Sequence, residues 1–244
     1  MSLVFHGPQS AGELLDVSLG VVKRHPGLLL RIGIWPTLGI AGIDLVSNVV
    51  PEALGLMAIP LTFAVYSLGE AGVSFAAWRL LHRQPVDAAT VWARVREHSL
   101  GVAVGYTLKS LGLVLGLIFF LVPGALLIVR WFAVPAANVI EGTGVRQGFR
   151  RSRELARGNR RQIFITVGLL DVGMTVGALM LAIAAMDEVT SELPIWFTFF
   201  GSAFGLLYLI YHGVLSTALY ANARVRNEGY DVEDLLPVTT GAAG

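Results

Sequence analysis

Residues 100–122 read LGVAVGYTLKSLGLVLGLIFFLV, and this stretch decides the fold. Lys109 is its one charged residue. As a helix rising 1.5 Å per residue, the stretch is roughly 35 Å long, enough to cross a hydrocarbon core of about 30 Å. A helix on the surface of a soluble protein keeps a polar face for water, and this one has none.

The same reading extends outward. Spans of similar character are predicted at 28–49, 53–81, 125–140, 163–186 and 195–221. The second is long for one crossing, which tilt or a kink at Pro60 accommodates. The fourth is short. Pro123-Gly124 predicts a tight turn between the third and fourth. The whole chain agrees: of 244 residues, 55% are hydrophobic and 14% charged, against about 25% charged in an ordinary soluble domain. Mean hydropathy is +0.67. The fold expected is all-α: a polytopic membrane protein with six transmembrane helices, short amphipathic surface helices and a polar tail over 222–244.

Three segments between the spans have the pattern of helices lying on the membrane surface. The first, 11–23, carries Leu14, Leu15, Ser18, Leu19 and Val22 at helical spacing. The second, 87–98, sets Val91 and Val95 among Arg94, Arg96 and Glu97. The third, 145–157, is the most basic, and Gly158-Asn159 reads as its stop. No basic stretch followed by an apolar run opens the chain, so no cleavable leader is expected.

Charge placement gives orientation. Of the 18 Lys and Arg, all but Lys109 and Arg130 fall in the N-terminal arm, the loops after the second and fourth spans, the tail, or their boundaries. The loops after the first, third and fifth spans have none. Cytoplasmic loops retain basic residues, so both termini are expected inside, in the plasma (cytoplasmic) membrane.

Spans two to six each hold one ionisable residue well inside: Glu70, Lys109, Arg130, Asp171 and His212. A lone charge at the bilayer centre costs at least about 2.5–3.5 kcal/mol, so these five are expected to face the bundle and pair with one another. Such a set fixes which helices pack together, or forms a path for a proton, ion or small polar solute. Arg146, Arg150, Arg151, Arg153, Arg157, Arg160 and Arg161 form a second candidate site, for anionic lipid headgroups. Each near the surface contributes about 1 kcal/mol of attraction to such lipids.

Enzyme chemistry is not visible. The chain has no cysteine, which excludes thiolate catalysis and Cys-held metals. There is no His-Glu-x-x-His, Gly-x-Ser-x-Gly or P-loop pattern. The histidines at 6, 25, 82, 98 and 212 lack ligand spacing, so neither metal nor cofactor is expected. A net charge of +1 suggests no nucleic-acid partner.

Three motifs carry a resemblance: VPGALLIVRW at 122–131, continuing to Pro135 and Val139-Ile-Glu-Gly142; RSRELARG at 151–158; and RVRNEGYDVE at 224–233. Together they resemble the membrane domain of glycerophosphoryl diester phosphodiesterases and its stand-alone bacterial relatives. The chain departs from that pattern at Arg153, where an aromatic is common, at Asn222, where an acid is common, and at Asn227, where a base is common. The resemblance implies a six-helix membrane protein with cytoplasmic ends. In the fused enzymes hydrolysis belongs to a separate soluble domain, so no catalytic residue carries over. The expected role is non-enzymatic: an accessory factor in envelope or lipid homeostasis, or for a partner membrane protein.

Overall fold

A computed structural model describes residues 8–47, 57–119, 121–185 and 195–229. The chain is an all-α membrane protein. Its helices in order are α1 Ala11–Arg24, α2 Pro26–Ser47, α3 Ala58–Leu81, α4 Ala88–Glu97, α5 Ser99–Phe119, α6 Leu121–Trp131 and α7 Val134–Ile140. Then follow α8 Val145–Ala156, α9 Arg160–Ile163, a π-helical stretch Phe164–Gly168, α10 Leu169–Ala185 and α11 Ile195–Glu228. Among the described residues, Pro26–Ser47, Ala58–Leu81, Ser99–Gly116, Val122–Ile140 and Gly201–Glu228 are long and apolar enough to cross a membrane. The expected span at 163–186 is not among these five. It is helical, but the π-helical stretch interrupts it, and α10 alone has 17 residues. The start of the second span at 53, the loop at 187–192 and the tail beyond 229 lie outside the described residues.

The surface helices begin as their sequences dictate. Ser10 caps α1 in a reciprocal box: its hydroxyl accepts from the Glu13 N–H, and the Glu13 carboxylate accepts from the Ser10 N–H at 2.6 Å. That backbone bond, and then the hydroxyl, holds the Glu13 carboxyl below its ordinary range. Asp87 caps α4, accepting from the Thr90 N–H at 2.8 Å, and Thr90 holds its carboxyl low. The buried face of α1 is Leu14, Ser18 and Val21, which packs on α11, while Leu15 and Leu19 are exposed.

Helix α3 is the centre of the bundle, touching α2, α5, α7 and α11. Small residues set that position. A Cβ on Gly69 would stand 2.7 Å from Pro36 of α2, one on Gly72 2.9 Å from Ile32, and one on Gly213 of α11 2.7 Å from Val73. These helices therefore meet at near-backbone distance. The glycines of α5 serve the next pair: Gly105 faces Val134 and Asn138, Gly112 faces Trp131, and Gly116 faces Gly124.

Four local expectations are corrected. Pro60 lies in the first turn of α3, where its missing N–H is not needed, so it makes no kink; the proline inside a helix is Pro36 of α2. Pro123 and Gly124 likewise lie in the first turn of α6 and not in a tight turn. Gly124 serves close approach to Gly116, and its φ is not positive. The 125–140 segment is two helices. Pro135 has no N–H to continue the ladder of α6, so the chain turns at Phe132-Ala133. Ser152 of α8 stitches this break, accepting from the Ala133 N–H at 3.1 Å and donating to the Arg130 carbonyl at 3.0 Å. Finally, α11 continues through 222–228 to Glu228, so the tail begins later than expected. At 34 residues this helix is about 51 Å long and outruns the hydrocarbon core.

Candidate functional site

The buried ionisable group forms where α3, α10 and α11 converge. Glu70 comes from α3, Asp171 from the first turn of α10, and His212 from α11. Close approach at Gly213 lets the imidazole reach α3. Its Nδ1 stands 3.3 Å from Glu70 Oε1, and its Nε2 stands 2.9 Å from Asp171 Oδ1. Exposure is 0% for Glu70, 2% for His212 and 6% for Asp171. One turn before His212, the Tyr208 hydroxyl donates to Asp171 Oδ1 at 2.8 Å, and the two rings stack at 5.3 Å.

Lys109 of α5 is buried at the edge of this group. Its Nζ lies 5.3 Å from the centroid of the Tyr106 ring, and its charge acts on both carboxylates. Tyr106 in turn packs on Tyr66, one turn before Glu70, at 5.5 Å. With an imidazolium the four groups are formally neutral: two carboxylates against two cations. Only an imidazolium presents N–H to carboxylates on both sides. Among the described residues, neither the Ser74 hydroxyl nor the Tyr66 hydroxyl has a hydrogen-bond partner.

Four of the five predicted intramembrane ionisable residues are thus brought to one place. Arg130 is not. It is exposed at the end of α6, because the break before Pro135 ends that helix near the basic segment. It joins the other candidate site. There, Arg130, Arg150, Arg153, Arg157 and Arg160 surround a cavity of about 480 Å³. Glu154 also lines it and is paired with Arg150 at 2.9 Å. Gly158, at φ +80, reverses the chain so that Arg157 and Arg160 reach the same space. Arg161 points instead to a neighbouring apolar cavity, and Arg146 stands apart, exposed on α8.

Arg151 has a different task. Its Nε donates to both oxygens of Glu141, at 2.9 and 3.0 Å, and its guanidinium also pairs with Glu228. Burial disfavours its charge, but the bonds to Glu228 and Glu141 outweigh this and raise its pKa. Arg224 donates to Glu228 at 3.0 Å, and the Tyr220 hydroxyl donates to Glu141. This network ties the loop after α7, helix α8 and the end of α11. Sequence reading missed it and also missed Tyr66 and Tyr106. The signal present was Glu141, Arg151 and Glu228, one in each of the three resemblance motifs. Asn222 and Asn227 make neutral ties: Asn222 to Gln9 and Gln162, and Asn227 to Asn159 and three carbonyls of α8 and its end.

Among the described residues no group of three His, Cys, Asp or Glu has the arrangement of a metal site. Comparison with protein-family models, curated proteins and solved structures found no match to this chain.

Proposed function

We propose that this chain is a multi-pass protein of the cytoplasmic membrane, with six crossings and both termini inside, that catalyses no covalent reaction. Its role is accessory, in envelope or lipid homeostasis, exercised by engaging anionic lipid at the inner face or by supporting a partner membrane protein. The observation that supports this most is the convergence of five arginines on one cavity beside the membrane-embedded helices. Anionic headgroups draw such clusters to the inner leaflet. The three motifs shared in pattern with the membrane domain of glycerophosphoryl diester phosphodiesterases support the same reading, and membership of that family is part of the proposal.

The test is lipid analysis of the protein purified in mild detergent. Enrichment of anionic phospholipid over the bulk membrane is expected. Retained lipid with the composition of the bulk membrane would overturn the reading.

A second reading is favoured by one observation: the Glu70 carboxylate is fully buried and faces the His212 imidazole at 3.3 Å. Such a group suits a proton, ion or polar-solute path. If Glu70→Gln and Asp171→Asn fold normally but abolish a proton or solute flux in proteoliposomes, this reading stands. If they lower only folded yield, the group is a packing device.

A further inference from the structure

The arginine cavity has an apolar neighbour. A groove of about 520 Å³ is walled by Val122, Ala125, Leu126 and Val129 of α6 on one side and by Phe164 and Val172 on the other. The four α6 residues recur at the spacing of one helix face, giving about 10 Å of continuous apolar wall. Arg160 lines both the groove and the arginine cavity, and Arg130 follows directly on Val129. Charge and apolar surface are thus joined end to end, the charge at the end where α6 meets the basic helix α8.

We propose that the cavity and groove together hold one anionic glycerophospholipid, its phosphate among Arg153, Arg157 and Arg160 and one acyl chain along α6. This rests on the lipid-engaging role above and assigns it a site. The chemistry selects the occupant. Among the described residues, the only acid lining the cavity is Glu154, which is occupied by Arg150. Arg130, Arg157 and Arg160 make no ion pair and donate no side-chain hydrogen bond to a described residue, so their donors are available to phosphate oxygens. A zwitterionic headgroup would bring its ammonium into the same ring of guanidinium groups and be repelled. A free phosphate would satisfy the arginines but leave the groove without a matching partner. Both cavity volumes fall within the range of about 300–1,000 Å³ usual for small-molecule sites.

The test titrates phosphatidylglycerol against the detergent-purified full chain and reads bound lipid by native mass spectrometry. Phosphatidylcholine, glycerol 1-phosphate and inorganic phosphate are run in parallel. Saturable binding of phosphatidylglycerol is expected, with the other three far weaker. Arg157→Gln/Arg160→Gln should weaken it roughly 25-fold. Leu126→Trp, which fills the groove from an exposed position, should weaken phosphatidylglycerol while leaving glycerol 1-phosphate unchanged. Arg24→Gln/Arg31→Gln/Arg83→Gln, in the separate basic groove between the α1–α2 junction and the α3–α4 loop, should have little effect. Glycerol 1-phosphate or inorganic phosphate binding as tightly as phosphatidylglycerol overturns the proposal, since the groove then adds nothing. So does a detergent-stable dimer that binds no lipid, since a second copy then covers the groove. If wild type retains anionic lipid but only the Arg24/Arg31/Arg83 variant loses it, the site is wrong and the lipid-engaging role survives. If wild type retains none, both fail.

Discussion

At the residue scale, His212 balances two carboxylates that have no water to turn to. Removing one partner of a buried ion pair costs about 3–5 kcal/mol, because the other charge is stranded. His212→Leu should therefore lower thermal stability in detergent by that amount. Formally it leaves two carboxylates against Lys109, so adding Glu70→Gln restores neutrality. The double variant is expected to be more stable than His212→Leu alone; equal or lower stability would mean that the charges are not coupled.

His82 permits a pH prediction. Burial holds its pKa below the ordinary value; the hydrogen bond of Nδ1 to the Trp78 carbonyl at 2.6 Å opposes this, and the nearby Arg224 adds to it. A histidine depressed in the folded state binds fewer protons there than when unfolded. Stability is then full above its unfolded pKa, about 6.5, and falls as pH drops below it. Melting temperature should decline on acidification from pH 7 to pH 5 (about the His range), and His82→Gln should flatten that decline.

At the element scale, helix pairs are set by where a side chain is missing. A Cβ on Gly148 of α8 would lie 2.0 Å from Asn138 Oδ1, and Asn138 already donates to the Gly101 carbonyl at 3.0 Å and accepts from Thr143. Gly148→Ala should cost about 1–3 kcal/mol by overpacking. A Cβ on Gly12 of α1 would have nothing within 4 Å, so Gly12→Ala should be neutral or stabilising by up to about 1 kcal/mol. Thermal unfolding of the two variants side by side separates packing from propensity. Much at this scale was legible beforehand. Gly101, Gly105, Gly112 and Gly116 recur along one face of α5, and the surface helices expected at 11–23 and 87–98 begin within a residue of those bounds. The break before Pro135 was less so, because the residues around it are apolar throughout and hydropathy reads straight across a turn.

At the scale of the whole molecule, orientation is the open quantity, and the absence of cysteine makes it easy to measure. With six crossings and both ends inside, Thr190→Cys should react in intact cells with a membrane-impermeant maleimide, and Ala242→Cys only after permeabilisation. The reverse pattern would invert the topology, and equal labelling would remove one crossing.

Sequence alone determined the solvent of this protein. Long apolar runs with few charges have one stable environment, and period and length suffice to see it. It also picked out Glu70, Lys109, Asp171 and His212, because a charge inside an apolar run is conspicuous. Only the tertiary structure decided which of these meet. Arg130 has the same local signature as Lys109, yet the break before Pro135 ends α6 early and leaves it exposed among arginines of α8 and α9. Likewise, seven arginines look alike in a row, but Arg151 faces Glu141 and Glu228 while Arg157 and Arg160 face an open cavity. Hydropathy is a property of a window of chain. Pairing depends on distances between windows, which packing alone sets.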